Sequence, residues 1–135
     1  MRIKLLVLDV SRAHFHPPAV REVYITLPPE DFEPGMVGKL LRTIYGTRDA
    51  GNQWDVFFNS AAEDLGFEPG DSCPCVYRHK SHLSVAWRHG DDVLIAGEET
   101  FLREVYHGFS QIMILKWRAL LGFENGDDTH VTILN

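Results

Sequence analysis

Two short runs of aliphatic residues, each bordered by aspartate, constrain this chain more than any other feature. Leu5-Leu6-Val7-Leu8 leads into Asp9-Val10, and the turn His89-Gly90-Asp91-Asp92 leads into Val93-Leu94-Ile95-Ala96, closed by Gly97. The unbroken aliphatics of the first run predict a strand buried on both faces, and the second run reads as an apolar strand. Each run therefore carries a carboxylate at its polar end. A sheet that pairs these strands brings Asp9 beside Asp91 and Asp92.

The stretch between them supplies the rest of an α+β domain. Trp54, Phe57, Phe58, Ala61 and Leu65 recur at i, i+3, i+4, i+7 and i+11, a helical stripe running from Asp49 and stopped by Gly66. Cys75–Tyr77 and Leu83–Trp87 read as a hairpin around Lys80-Ser81. A second helix is predicted from Glu98 to Ile112, with Phe101, Val105 and Phe109 on one face and an acidic start that suits the helix dipole. Shorter strands are expected at Val23–Leu27, Val37–Ile44, Ile114–Trp117 and Val131–Leu134, while Pro17-Pro18 keeps residues 11–22 irregular. The core order of strand, helix, hairpin, helix and strand is that of a split βαβ unit. It predicts an antiparallel sheet with two helices on one face.

Composition permits this and leaves function open. The chain has 135 residues, 44% hydrophobic and 24% charged, enough for one domain with a real core. No apolar run approaches the roughly 20 residues of a membrane helix, and the first residues lack a signal peptide's cleavage region, so no membrane association is expected. Cys73 and Cys75 are too close in sequence to frame a disulfide scaffold, which favours a reducing intracellular setting, cytoplasmic or nuclear. The net charge of −6 argues against nucleic-acid binding by charge alone. Against it stand the basic side chains Arg78, His79, Lys80, His82, Arg88 and His89, which gather close to the acidic pair.

Three carboxylates at neighbouring strand ends repel one another unless a cation lies between them. Magnesium takes oxygen ligands and commonly uses one or two carboxylates together with substrate phosphates. Two such ions, roughly 3.5–4 Å apart, support an in-line phosphoryl transfer. Asp9 and Asp91 are the candidate bridging ligands, Asp92 the third carboxylate, and the Val10 carbonyl a further oxygen. By itself Gly90-Asp91-Asp92 reads more readily as an ordinary hairpin turn.

Longer segments separate these readings. LDVSRAHFHPPAVREVYITLPPE, with Asp9-Val10, Glu22-Val23-Tyr24 and Pro28-Pro29, resembles the first catalytic motif of copia-type retrotransposon reverse transcriptases. VGKLLRTIYGTRDAGNQW is similar to that family's second signature through Lys39-Leu40, Tyr45-Gly46 and Gln53-Trp54. LGFEPGDSCPCVY and HGDDVLIAG resemble the two that follow, so the likeness runs from about residue 6 to residue 122.

The resemblance implies the palm of an RNA-directed DNA polymerase that uses two magnesium ions (manganese as a substitute), deoxynucleoside triphosphates and an RNA or DNA template-primer. It implies that Asp9, Asp91 and Asp92 are catalytic. It also implies that His14, Tyr45, Gly46 and Arg48 contact nucleotide or template, and that Lys116 approaches the nucleotide's phosphates. Two departures stand out. His89-Gly90 replaces a tyrosine and an apolar residue, and His14 replaces a bulky aromatic beneath the sugar, which loosens discrimination against ribonucleotides. Fingers, thumb and RNase H segments have no counterpart, so a fragment of a longer polyprotein is expected, inactive by itself, with contacts to the missing domains.

Two rival readings predict different observations. Cys73, Cys75, His79 and His82 have zinc-ligand chemistry, although Cys-x-Cys and His-x-x-His miss the usual spacings. The other rival is an inactive, truncated palm relic that serves as a protein-binding module.

Overall fold

The computed structural model describes residues 2–133, which divide into two compact units. One comprises the chain up to Ala13 together with the residues from Phe58 onward; the other is His14–Phe57.

The larger unit is built on a six-stranded antiparallel sheet. Its strands are β1 (Ile3–Val10), β4 (Phe67–Pro69), β5 (Val76–His79), β6 (Val85–His89), β7 (Asp92–Glu98) and β8 (Leu115–Leu121), in the order β4-β5-β6-β7-β1-β8. β1 lies between β7 and β8, and this explains its unbroken aliphatics. Leu6, Val7, Leu8 and Val10 have no exposed surface. Two helices complete the element list, α1 (Ala50–Asp64), whose second half belongs to this unit, and α2 (Glu99–Ser110).

Register assigns the two faces. Leu8 is level with Val93 on β7 and with Trp117 on β8, and the Trp117 ring meets Tyr106 of α2 edge-on at 5.1 Å. Leu6 and Ile95 follow two residues along, so this face carries the helices. Phe58 of α1 stacks on Phe109 of α2 at 5.5 Å and meets the buried Tyr77 ring at 5.4 Å. Burying each of these large side chains is worth roughly 1.5–3 kcal/mol, which makes this layer the main source of stability. Asp9, Asp92 and Lys116 share the next rung, on the opposite face.

Two local devices shape the unit. α1 ends where Gly66 takes φ +88°, and a side chain there would strike the His79 ring, whose Nε2 would lie 2.6 Å from the added Cβ. At the far end of β1, the buried Lys4 ammonium is ringed by Glu99 (2.6 Å), Asp127 (2.7 Å) and Glu124 (2.8 Å). Those three carboxylates push the lysine's pKa up, and Lys4 holds each of theirs down. This knot fastens the first strand to the start of α2 and to the loop after β8.

The smaller unit is mostly irregular chain, with a 3-10 turn at Pro29–Asp31 and the first half of α1. β2 (Tyr24–Ile25) pairs with β3 (Gly38–Lys39), and a single bridge joins Pro18 to Arg42. The strand expected over Val37–Ile44 is thus reduced to two residues. Its natural partner contains Pro17 and Pro18, which have no N–H to donate, so only isolated bonds such as Thr43 N–H to the Pro17 carbonyl (3.0 Å) continue the ribbon.

Other expectations are corrected as well. Val131–Ile133 is not a strand, and Leu134 lies outside the described residues. Asp128 instead forms one parallel bridge with Leu121, and the segment after it runs without a ladder. β4 is not among the strands expected from the sequence; at the sheet edge its Pro69 is tolerated. No helix among the described residues is long and apolar enough to cross a membrane.

Candidate metal centre

The hairpin joining β6 to β7 has two loop residues, Gly90 and Asp91, between the paired His89 and Asp92. Gly90 has φ +61° and Asp91 does not share the positive sign, which is the pattern of a type II′ turn with glycine first. The apolar residue that the copia-type pattern carries here would be strained in this conformation. The glycine departure is therefore compatible with the turn. The Asp91 carbonyl accepts the Val10 N–H at 2.7 Å, clamping the turn to the end of β1.

The result is a cluster. Carboxylate oxygens of Asp9, Asp91 and Asp92 all lie within 4.8 Å of one another, with Asp91 exposed and the other two half-buried. Burial, and then the charges of Asp91 and Asp92, push the Asp9 pKa up; Arg118 and Lys116 work against them. Lys116 is the β8 partner of Asp9, so both lie on the helix-free face. Arg118, two residues on, reaches Asp92 at 3.9 Å. Hard oxygen donors in mutual repulsion, with only partial countercharge, fit a divalent cation such as magnesium.

The remaining residues of interest lie in the smaller unit. There the His14 ring packs 4.4 Å from that of Tyr45, and its Nδ1 is buried without a hydrogen-bond partner. Gly46 has φ +86°, and Tyr45 and Arg48 are exposed. Val10 is fully buried, and its N–H is spent on Asp91.

The zinc reading is corrected. Both His79 ring nitrogens are engaged by main chain: Nε2 lies 2.9 Å from the Leu65 carbonyl, while Nδ1 accepts the N–H groups of Ser81 and His82. Cys73 and Cys75 have sulfurs 3.5 Å apart, and neither joins a histidine in any ligand cluster found among the described residues. The second acidic cluster, Glu99, Glu124 and Asp127, already holds the Lys4 ammonium.

Sequence reasoning missed Arg118 and Lys4. Lysine in an aliphatic strand was a visible signal for Lys4, whereas the setting of Arg118 depends on an irregularity in β8 that no single-strand pattern reveals.

The chain is similar to the retrovirus-related Pol polyprotein from transposon TNT 1-94 of Nicotiana tabacum, 32% identical over 99 residues. The match covers 68% of this chain and 7% of that polyprotein, so the chain spans a small part of its relative's length. No family model matches, and no solved structure does. The similarity supports a retroelement origin for this chain.

Proposed function

We propose that the chain is the palm portion of a copia-type reverse transcriptase, an RNA-directed DNA polymerase that joins a deoxynucleotide to a primer 3′-hydroxyl. The observation that carries this is the convergence of Asp9, Asp91 and Asp92 within 4.8 Å on the helix-free face of the sheet. Support also comes from the strand order β6-β7-β1-β8, in which β1 separates β7 and β8, two strands linked by α2, the split βαβ arrangement expected of a palm. The similarity to a Pol polyprotein agrees with both.

In this reading Asp9, Asp91 and Asp92 hold two magnesium ions. When bound, such ions lower the pKa of the attacking hydroxyl and stabilise charge on the leaving oxygen. The protein's own contribution is positional. The clamp from Val10 N–H to the Asp91 carbonyl fixes the turn, pairing of Asp9 with Asp92 fixes two carboxylates on one rung, and Lys116 faces the same side. His14, Tyr45, Gly46 and Arg48 are assigned to the nucleotide and template, and domains of a longer polyprotein to primer-template grip.

The test is primer extension. The isolated chain is expected to give no processive synthesis on a primed RNA template. A chimera with fingers and thumb from a full-length relative should add deoxynucleotides in magnesium and fall to background with Asp9→Asn or Asp91→Asn. A folded chimera that binds primer-template yet adds nothing, in magnesium or manganese, would replace this reading with the inactive relic.

A further inference from the structure

β8 departs from regular pairing at one point. Leu8 is level with Trp117 and Val7 with Ala119, so Arg118 is the extra residue of a β-bulge. Bulges re-aim side chains, often beside functional sites. This one sends the Arg118 guanidinium to two acceptors at once: Nη1 lies 3.9 Å from the Asp92 carboxylate, and Nη2 donates to the Thr132 carbonyl at 3.0 Å. A bulge has a cost in ladder hydrogen bonds, and its result here is a planar, permanently charged fork next to the carboxylates. Lys116, two residues earlier on β8 and opposite Asp9, adds a second cation on the same side. The site is therefore bipolar, with carboxylates on β1 and β7 and cations on β8.

The fork makes one hydrogen bond and one longer ionic contact. The Thr132 carbonyl is neutral, and the contact to Asp92 is long for an ion pair and made through one nitrogen, with both side chains partly buried. A pair held through one nitrogen at that distance contributes little and is readily exchanged. Guanidinium binds phosphate oxygens with two parallel bonds, which is stronger and more directional. We propose that Arg118 is the phosphate-binding residue of this site: it neutralises Asp92 when no divalent cation is present, and exchanges that carboxylate for a phosphate group of a polyphosphate ligand when cations occupy the triad. This deepens the reading above and rests on it.

The exchange makes Arg118 a competitor of the metal and a partner of the anion, and these roles give opposite signs in one variant. Mn²⁺ binding to the isolated chain is followed by electron paramagnetic resonance, first without phosphate. Arg118→Gln should bind Mn²⁺ about threefold more tightly, because a like charge at Asp92 is gone. Pyrophosphate is then titrated into protein in saturating magnesium, and the same variant should bind it about tenfold more weakly, with Arg118→Lys recovering part of the loss. A residue that only props up Asp92 would instead weaken Mn²⁺ binding in Arg118→Gln, and that result overturns the proposal, as does unchanged pyrophosphate affinity. A parent chain whose Mn²⁺ uptake ignores Asp9→Asn overturns the metal reading along with this one. Normal Mn²⁺ uptake with the wrong sign in Arg118→Gln overturns this proposal alone.

Discussion

Replacing Asp91 by asparagine should stabilise the metal-free protein, against the usual expectation for a change at a structured turn. The three carboxylates keep oxygens within 4.8 Å of one another. At that distance each like-charge pair costs ~3.5 kcal/mol at an effective dielectric of about 20 and ~0.9 kcal/mol in bulk water. Asp91 is exposed, so the lower figure governs, and its removal relieves two pairs. Lys116 and Arg118 already offset part of the repulsion, leaving a net gain of ~1 kcal/mol. The clamp to Val10 uses the main-chain carbonyl of residue 91 and survives the change. For a chain of this length ~1 kcal/mol corresponds to a rise of ~3–5 °C in Tm. Magnesium at about ten times its Kd should add ~1.4 kcal/mol to the parent and well under half of that to the variant. Thermal melts in EDTA and in a magnesium series read both effects. A variant that melts below the parent in EDTA, or gains as much from magnesium, would refute the argument.

Other outcomes follow from the same physics. Asp9 has a raised pKa in the folded state, so the native protein holds that proton more tightly than the unfolded chain. The repulsion it contributes is absent at low pH and grows as pH rises through the folded value, and Asp9→Asn should flatten this part of the stability profile. The Lys4 knot has the opposite sign: Glu99, Glu124 and Asp127 are depressed, so its stabilisation is complete above the ordinary carboxylate range and is lost as pH falls through their lowered values. Lys4→Met should therefore lower Tm at pH 7, with the deficit shrinking in acid. Arg12, which follows the metal-centre strand, has φ 54°, so Arg12→Gly should raise stability by ~1 kcal/mol in urea melts. In an active chimera, His14→Phe should sharpen the preference for deoxynucleotides over ribonucleotides in side-by-side primer extension.

What could be read in the sequence was whatever a single strand or helix records in its own periodicity. Leu5–Leu8 announces a central strand apolar on both faces, Val93–Ala96 announces a strand in which the structure buries Val93 and Ile95 and leaves Leu94 and Ala96 half-buried, and Phe101, Val105 and Phe109 announce a helix face that the structure buries. The approach of Asp9 to Asp91 and Asp92 follows once those strands pair, so the carboxylate cluster was legible too. Features that depend on two strands at once were not. Arg118 becomes distinctive only because β8 slips by one residue against β1, and β4 exists only because β5 offers it an edge. Val37–Ile44 has the composition of a strand, but the prolines across from it cannot donate. Lys4 acquires its role only because Glu99, Glu124 and Asp127 come to it from distant parts of the chain.

The central claim is that the strand-end carboxylates, and not another acidic group, form the divalent metal site. Paramagnetic broadening of backbone amides by substoichiometric Mn²⁺ in the isolated chain tests it without requiring activity. Signals of Val10, Asp91 and Asp92 should broaden first, and Asp9→Asn should abolish the effect. Broadening centred on Glu99, Glu124 and Asp127, or unchanged by Asp9→Asn, would contradict the account.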